Sequence, residues 1–280
     1  MSDTRHAIRQ ALWSVGITPR MVGRLRWMRK MQLLRRYNAP LRRNLAYVLG
    51  DPEVDNFTYD LANEDELVVW LSSELGANRG RVAELLVEAR SNRELYGRLR
   101  DQTQRRISMK TEPAIGRRLG WYVIVRLVKP ARIIETGTHD GIGSLVLLSA
   151  LDRNSAEGNS GELVSIDPDP TSGWIVGERA NWSRRTADSR SVLREVLQEA
   201  PVQLFLHDSL HTYEHEHFEL EAAAAAMESG VLVSDNSHET SALSDVCEKI
   251  GVRYSVWRER PRNHFYPGAG IGMAVLRPAD

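Results

Sequence analysis

Acidic side chains and a histidine stand where two apolar segments of the sequence end. Asp208 follows VQLFLH, Asp235 and Asn236 close VLVSDN, and His211 lies three residues after Asp208. Two carboxylates held close together repel each other unless one is neutral or a cation lies between them. Two carboxylates and an amide carbonyl suit Mg²⁺, and Mn²⁺ can replace it. The alternative is that Asp208 and Asp235 only cap the following helices or turns.

Histidines crowd around the first of these carboxylates. Because histidine titrates near neutral pH, His211 can accept a proton from a hydroxyl group. We expect His207 at a strand end, and His215 and His217 on the next helix, partly exposed to solvent. A rival interpretation takes His207, His211 and His215 as ligands of a transition metal.

A glycine-rich turn, ETGTHDGIGS, follows the apolar segment ARII and opens a helix. Its spacing is E-x-G-x-x-x-G rather than the G-x-G-x-x-G of dinucleotide sites. The negative charge of Glu135 would repel a pyrophosphate but attract a cationic amino-acid ligand. Gly137 and Gly141 permit a tight turn and let a ligand approach the backbone closely. Taken alone, the pattern also fits an ordinary strand-to-helix turn.

Two further acidic positions follow the next strands. Asp167 ends VSID, where doubly wound folds place an acid that binds ribose hydroxyls. Asp188 and Ser189 precede a helix, where they are placed to meet an adenine or simply to cap that helix. A turn-forming aspartate before Pro168 is the alternative for Asp167.

Alternating strands and helices must position these side chains. Strands are predicted at 131–136, 162–167, 202–207 and 230–235, and helices at 143–152, 189–199 and 213–228. This alternation is typical of βαβ units with a mostly parallel sheet. Segments 252–258 and 270–276 predict an antiparallel hairpin that closes the sheet, and the loop between them could line an acceptor pocket. Upstream, helix is predicted over about 64–104 and 113–127.

The composition is that of a globular protein, and its charge is unevenly distributed. The 280 residues include 37 basic and 37 acidic side chains and one cysteine. The single cysteine excludes a disulfide framework and a multi-cysteine zinc site. Eleven Lys/Arg and one acid lie within residues 1–50. No secretory signal and no run long enough to span a bilayer is found.

The motifs together resemble class I S-adenosylmethionine-dependent methyltransferases. ETGTHDGIGS, SIDPDP, ADS, HDSLHTYE and VLVSDNS are most similar to the metal-dependent O-methyltransferases of the macrocin/mycinamicin sugar and cephalosporin-hydroxylase-like group. The resemblance covers residues 110–280 and implies a Rossmann-like, doubly wound, seven-stranded α/β sheet with an antiparallel C-terminal hairpin. The chain is thus divided into a basic helical region, 1–110, and a methyltransferase domain, 111–280.

The resemblance also implies a role for each motif. S-adenosylmethionine would be bound by the loop and the two acidic turns, and Mg²⁺ by the oxygen trio. Methyl transfer would go to a hydroxyl of a small molecule or glycan, preferably a sugar, after His211 removes its proton. The implied cofactor-binding residues are Glu135, Gly137, Thr138, Gly141, Ser144, Asp167, Asp188 and Ser189; the implied metal ligands are Asp208, Asp235 and Asn236.

Alternatives remain for the acceptor and for the N-terminus. A catechol or phenol could replace the sugar, and a non-catalytic or RNA-directed protein of the same fold could use the basic segment. Residues 20–43 could contact an anionic membrane surface, although docking on the same chain or a partner subunit explains such a segment equally well. We expect a cytoplasmic homo-oligomer that does not bind nucleic acid.

Overall fold

One mixed sheet organises the computed structural model, which describes residues 59–106, 113–262, 266 and 268–277. Strand order is β3-β2-β1-β4-β5-β7-β6; β1 to β5 are parallel, and β7 runs antiparallel between β5 and β6. The Rossmann-like sheet with its C-terminal hairpin is therefore confirmed. The strands are β1 Arg132–Thr136, β2 Glu162–Ile166, β3 Trp182–Arg185, β4 Leu204–His207, β5 Gly230–Asp235, β6 Tyr254–Arg258 and β7 Gly270–Leu276.

Eight helices lie within the described residues. The last of them, a short helix before the hairpin, was not predicted from the sequence, and neither was β3 at one edge of the sheet. The helices are α1 Glu64–Leu75, α2 Arg79–Arg90, α3 Arg93–Arg106, α4 Arg118–Val128, α5 Ile142–Ala156, α6 Ser189–Glu199, α7 Tyr213–Ala226 and α8 Ala242–Lys249. In this part of the chain, none of the helices has the length and apolarity needed to cross a membrane.

Helices cover both faces of the sheet, and the strands feed two apolar cores. Successive side chains of a strand point to opposite faces, so Ile133 and Ile134 are both buried but belong to different cores. Helices α1, α2, α4 and α5 pack with Ile133 on one face, and α6, α7 and α8 pack with Ile134 on the other. This two-sided cover leaves the strand ends for a site.

The first described helices join the C-terminal hairpin rather than extending away from the sheet. Trp70 in α1 donates from Nε1 to Ser255 Oγ at 2.8 Å, and Asn63 donates from Nδ2 to Arg258 O at 2.9 Å. Leu61 forms an isolated β-bridge with Pro261. The boundary at residue 110 stays a prediction, and the predictions for residues 1–58, including membrane contact by 20–43, fall outside the described residues.

Candidate active site

The glycine-rich loop lies directly against the end of β4. Gly137 has φ +82° and Gly141 has φ +94°, in the left-handed region that favours glycine. A Cβ atom on Gly137 would lie 2.0 Å from the carbonyl oxygen of Asp208. The loop therefore lies so close to the Asp208 backbone that only glycine fits at position 137.

Glu135 and Ser144 lie beneath this loop rather than on its surface. Both are buried, and Glu135 Oε2 accepts hydrogen bonds from Ser144 Oγ at 2.5 Å and Ser165 Oγ at 2.8 Å. Burial raises the pKa of Glu135 to about 7, although these hydrogen bonds oppose the shift. In the structure, this carboxyl group supports the loop from within.

Asp167 connects the end of β2 to the same loop. Its Oδ2 accepts from the backbone N–H groups of Thr138 at 2.7 Å and His139 at 3.0 Å, and its Oδ1 accepts from Asp169 N at 2.8 Å. The Thr138 hydroxyl is buried without a hydrogen-bond partner. A buried hydroxyl in this state fits a polar ligand in the loop.

The predicted adenine contacts divide between the surface and the interior. Asp188 is exposed and caps α6, accepting from Arg190 N at 2.9 Å. Ser189 is buried, and its hydroxyl bonds to Glu219 and to Nε2 of His215, the latter at 3.0 Å. The capping role of Asp188 is thus observed directly, while the hydroxyl of Ser189 points to a buried polar cluster.

Glu219 of α7 is the centre of that cluster. It accepts from Thr136 Oγ1 at 2.6 Å and contacts His207 Nδ1 at 2.5 Å and His215 Nε2 at 2.9 Å. Burial alone would raise its pKa, but the hydrogen bonds from His207 and His215 outweigh burial and hold the pKa well below its usual value. His215 is buried, so its predicted exposure to solvent was wrong, because the partnership with Glu219 was invisible in the sequence.

Asp208, His211 and Asp235 meet at the carboxyl ends of β4 and β5. Their ligand atoms all lie within 4.8 Å of one another, and His211 Nε2 is 3.7 Å from Asp208 Oδ1. Among the described residues this is the one cluster of three potential metal-binding His, Cys, Asp or Glu side chains. His207 and His215 bond to Glu219 instead, so the rival histidine trio is not assembled as a ligand set.

The chemistry of this cluster fits a hard divalent cation. Burial, together with the charge of Asp235, raises the pKa of Asp208 well above its usual value, as expected for neighbouring carboxylates without a cation between them. Asn236 has φ +55°, and its side-chain Oδ1 is buried without a partner. Two carboxylates and an unused amide oxygen match the preference of Mg²⁺ for oxygen ligands. Burial lowers the pKa of His211, so its imidazole is neutral near pH 7.

Sequence analysis did not identify Arg117, which lies at the start of α4 and holds Asp235. Its Nε donates to Asp235 Oδ1 at 2.5 Å and its Nη2 to Oδ2 at 2.6 Å. Burial would raise the pKa of Asp235, but this paired contact lowers it below its usual value. The only sequence signal was a basic pair, Arg117-Arg118, immediately before an apolar helix.

A cavity of about 280 Å³ brings these groups together. Its lining includes the glycine-rich loop, residues 138–143, together with Asp208, His211 and Asn236. Tyr266, from the predicted acceptor loop, also contributes to the lining. A larger groove of about 990 Å³ lies between α6 and α7 at the other end of the strands, away from these side chains.

A family model matches the part of the chain that forms most of this site. Residues 134–237 match the family model described as a methyltransferase domain. The matched segment is less than half of the chain, and over that segment the chain is similar to this domain. The match begins in β1 and ends just after Asn236, so it includes the loop, the acidic turns, Asp208 and Asp235. No curated protein sequence matches the chain significantly.

Solved structures with a similar fold include three from bacteria. A Klebsiella pneumoniae protein described as an O-methyltransferase is 15% identical, with a TM-score of 0.49, over 65% of this chain and 90% of its own. TomG of Streptomyces achromogenes, an O-methyltransferase of tomaymycin synthesis solved with SAM, is 14% identical, with a TM-score of 0.47, over 81% and 100%. An O-methyltransferase of Bacillus cereus, in complex with SAH, is 15% identical, with a TM-score of 0.44, over 76% and 97%.

Proposed function

We propose that this protein is an S-adenosylmethionine-dependent O-methyltransferase that uses a divalent metal ion and methylates a hydroxyl of a small molecule or glycan, preferably a sugar. One observation carries the proposal. In a methyltransferase domain, a single cavity joins the glycine-rich loop to Asp208, His211 and Asn236. The cofactor side and the acceptor side would therefore share one cavity, as transfer between two bound molecules requires.

When bound, the cofactor supplies a methyl group on a cationic sulfonium, and the divalent ion supplies Lewis acidity that lowers a hydroxyl pKa. The protein holds the cofactor loop in place through Asp167, whose carboxylate receives two backbone N–H groups. The unpartnered Thr138 hydroxyl is available to the cofactor. Glu135 reinforces the same loop from beneath.

Asp208, Asp235 and Asn236 would hold the metal ion. His211 would then remove the acceptor proton at its Nδ1 or Nε2 atom, because its lowered pKa keeps the ring neutral. Nδ1 is buried without a hydrogen-bond partner, so its protein surroundings supply no competing bond. The loop, Asp208 and His211 line the same cavity and would align donor and acceptor.

A vicinal diol is the acceptor chemistry that best matches this arrangement, because two adjacent oxygens can share one hard cation. Sugars and catechols both offer such a diol. Charged and polar groups surround the cavity, including Arg117, Arg118 and Tyr266. They favour the sugar as an acceptor rich in hydroxyl groups, and catechols are the comparison to include in a screen.

Calorimetric titration of S-adenosylmethionine tests the cofactor part. We expect Asp167→Ala to weaken binding about tenfold, since it frees two loop N–H groups. Asp169→Ala is the matched control, because Asp169 is exposed in the same turn, and it should change affinity by less than about twofold. Absence of binding to the wild-type protein would refute the proposed function.

Methyl transfer to glycosides and catechols, measured with and without a chelator, tests the metal part. We expect chelation to abolish transfer and Asp208→Ala to lower the rate at least about 100-fold. S-adenosylmethionine should still bind to Asp208→Ala, which separates a catalytic defect from a folding defect. Full activity in the presence of chelator would eliminate the metal from the mechanism.

A further inference from the structure

The guanidinium of Arg117 binds the carboxylate of Asp235, which is one of the proposed metal ligands. Its two-pronged contact uses both oxygens of Asp235, and both side chains are almost fully buried, at 6% and 0% exposure. A paired arginine–carboxylate contact of this kind is strong and directional. Asp235 therefore already has a cationic partner inside the protein.

Arg117 is itself firmly anchored. Its Nη1 donates to the Tyr59 hydroxyl at 3.0 Å, and its backbone N–H donates to Glu259 Oε2 at 3.0 Å. Glu259 Oε1 in turn accepts from the Tyr59 hydroxyl at 2.7 Å and from Ala269 N at 2.8 Å. These contacts fix the position of the guanidinium, so it cannot move away from Asp235 without breaking them.

A divalent ion at this site would stand beside a fixed positive charge. Two cations that share one carboxylate repel each other, and in a buried setting water screens them weakly. We propose that Arg117 is a built-in competitor of the metal ion for Asp235. It lowers the affinity of the site for divalent cations and keeps the Asp235 carboxylate oriented when no cation is bound. This inference rests on the metal-dependent form of the proposed function.

The alternative is a purely structural ion pair. In that case, Asp235 would lose its orientation without Arg117, and metal affinity would fall or stay the same. The two interpretations predict opposite signs for one measurement, the dissociation constant of the metal.

Mn²⁺ binding to the full-length protein without acceptor distinguishes the two. The free aqueous ion is followed by its electron paramagnetic resonance signal. We expect Arg117→Gln to lower the dissociation constant about tenfold or more, because one nearby cation is removed. Arg118→Gln is the matched control: it removes the same charge from the same cavity wall, where its guanidinium lies 5.6 Å from the Trp121 ring. It should change the constant by less than about threefold, since it removes no direct contact of Asp235 with Arg117.

Unchanged or weaker Mn²⁺ binding in Arg117→Gln would overturn the inference, as would equal tightening in both variants. No Mn²⁺ binding to wild type or variant would also overturn it, while S-adenosylmethionine binding, measured separately, would leave the methyltransferase function standing. If Arg117→Gln does not fold, Arg117→Lys replaces it. Lysine retains the charge but loses the paired geometry, so we expect a smaller tightening of the same sign.

Discussion

Gly137 provides the sharpest test of how the cofactor loop is joined to the acid cluster. Replacing it with alanine has two separable costs. The first is conformational: a φ of +82° is unfavourable for any residue with a Cβ, by about 1–2 kcal/mol. The second is steric, because the added carbon would lie 2.0 Å from Asp208 O and 2.7 Å from Ser209 Cα. These are backbone atoms, which cannot rotate away as a flexible side chain can.

Replacing Gly158 with alanine measures the conformational cost without the steric one. Its φ is +87°, close to that of Gly137, and a Cβ there would meet no atom within 4 Å. We expect Gly158→Ala to lower the free energy of unfolding by about 1–2 kcal/mol. Overpacking adds about 1–3 kcal/mol, so Gly137→Ala should lose about 2–5 kcal/mol in total.

Urea unfolding of the two variants and the wild type gives the required difference. Gly137→Ala should also weaken S-adenosylmethionine binding and displace Asp208, whereas Gly158→Ala should leave both unchanged. Equal destabilisation of the two variants would show that the loop and the end of β4 are not in the close contact described, and would refute this reasoning.

Two further predictions concern single titratable groups. The pKa of Glu135, raised to about 7 from 4.5, means that the folded state holds its proton more tightly than the unfolded state, so wild-type stability is lost as pH rises from about 4.5 through 7. Between these pH values the free energy of unfolding of the wild type should fall by up to about 3 kcal/mol more than that of Glu135→Gln. Urea unfolding that gives the same pH dependence for both proteins would contradict this prediction. His211→Gln should slow methyl transfer about 100- to 10,000-fold while leaving S-adenosylmethionine affinity within about twofold, and retained turnover would remove His211 as the base.

Much of the sheet could be predicted because its strands carry strong local patterns. The segments that end at Thr136, His207 and Asp235 are buried except at Gly230, and the polar residues after them mark the edge where the cavity lies. Strand β3 was not predicted, because its four residues, WSRR, are partly buried or exposed and contain no apolar run. Helix α8 was not predicted, because it has only eight residues and no side chain caps its first turn.

The partners of the site residues could not be predicted, because they depend on distant parts of the chain. Arg117 and Asp235 are 118 residues apart. No periodicity indicates that Arg117, rather than the neighbouring Arg118, binds Asp235. The same holds for Glu219, which looks like an ordinary acid on an alanine-rich helix until the fold places two histidines against it.

The union of α1 with the C-terminal hairpin has a consequence for synthesis on the ribosome. Trp70 and Ser255 are bonded across 185 residues, and chains grow at about 5–20 residues per second. The partner strand of α1 therefore emerges about 10–40 s after the helix itself. Throughout that interval Leu67 and Leu71, which are fully buried in the finished protein, lack part of the surface they pack against. The nascent chain therefore exposes part of these apolar side chains until its last strands complete the packing of the first described helix.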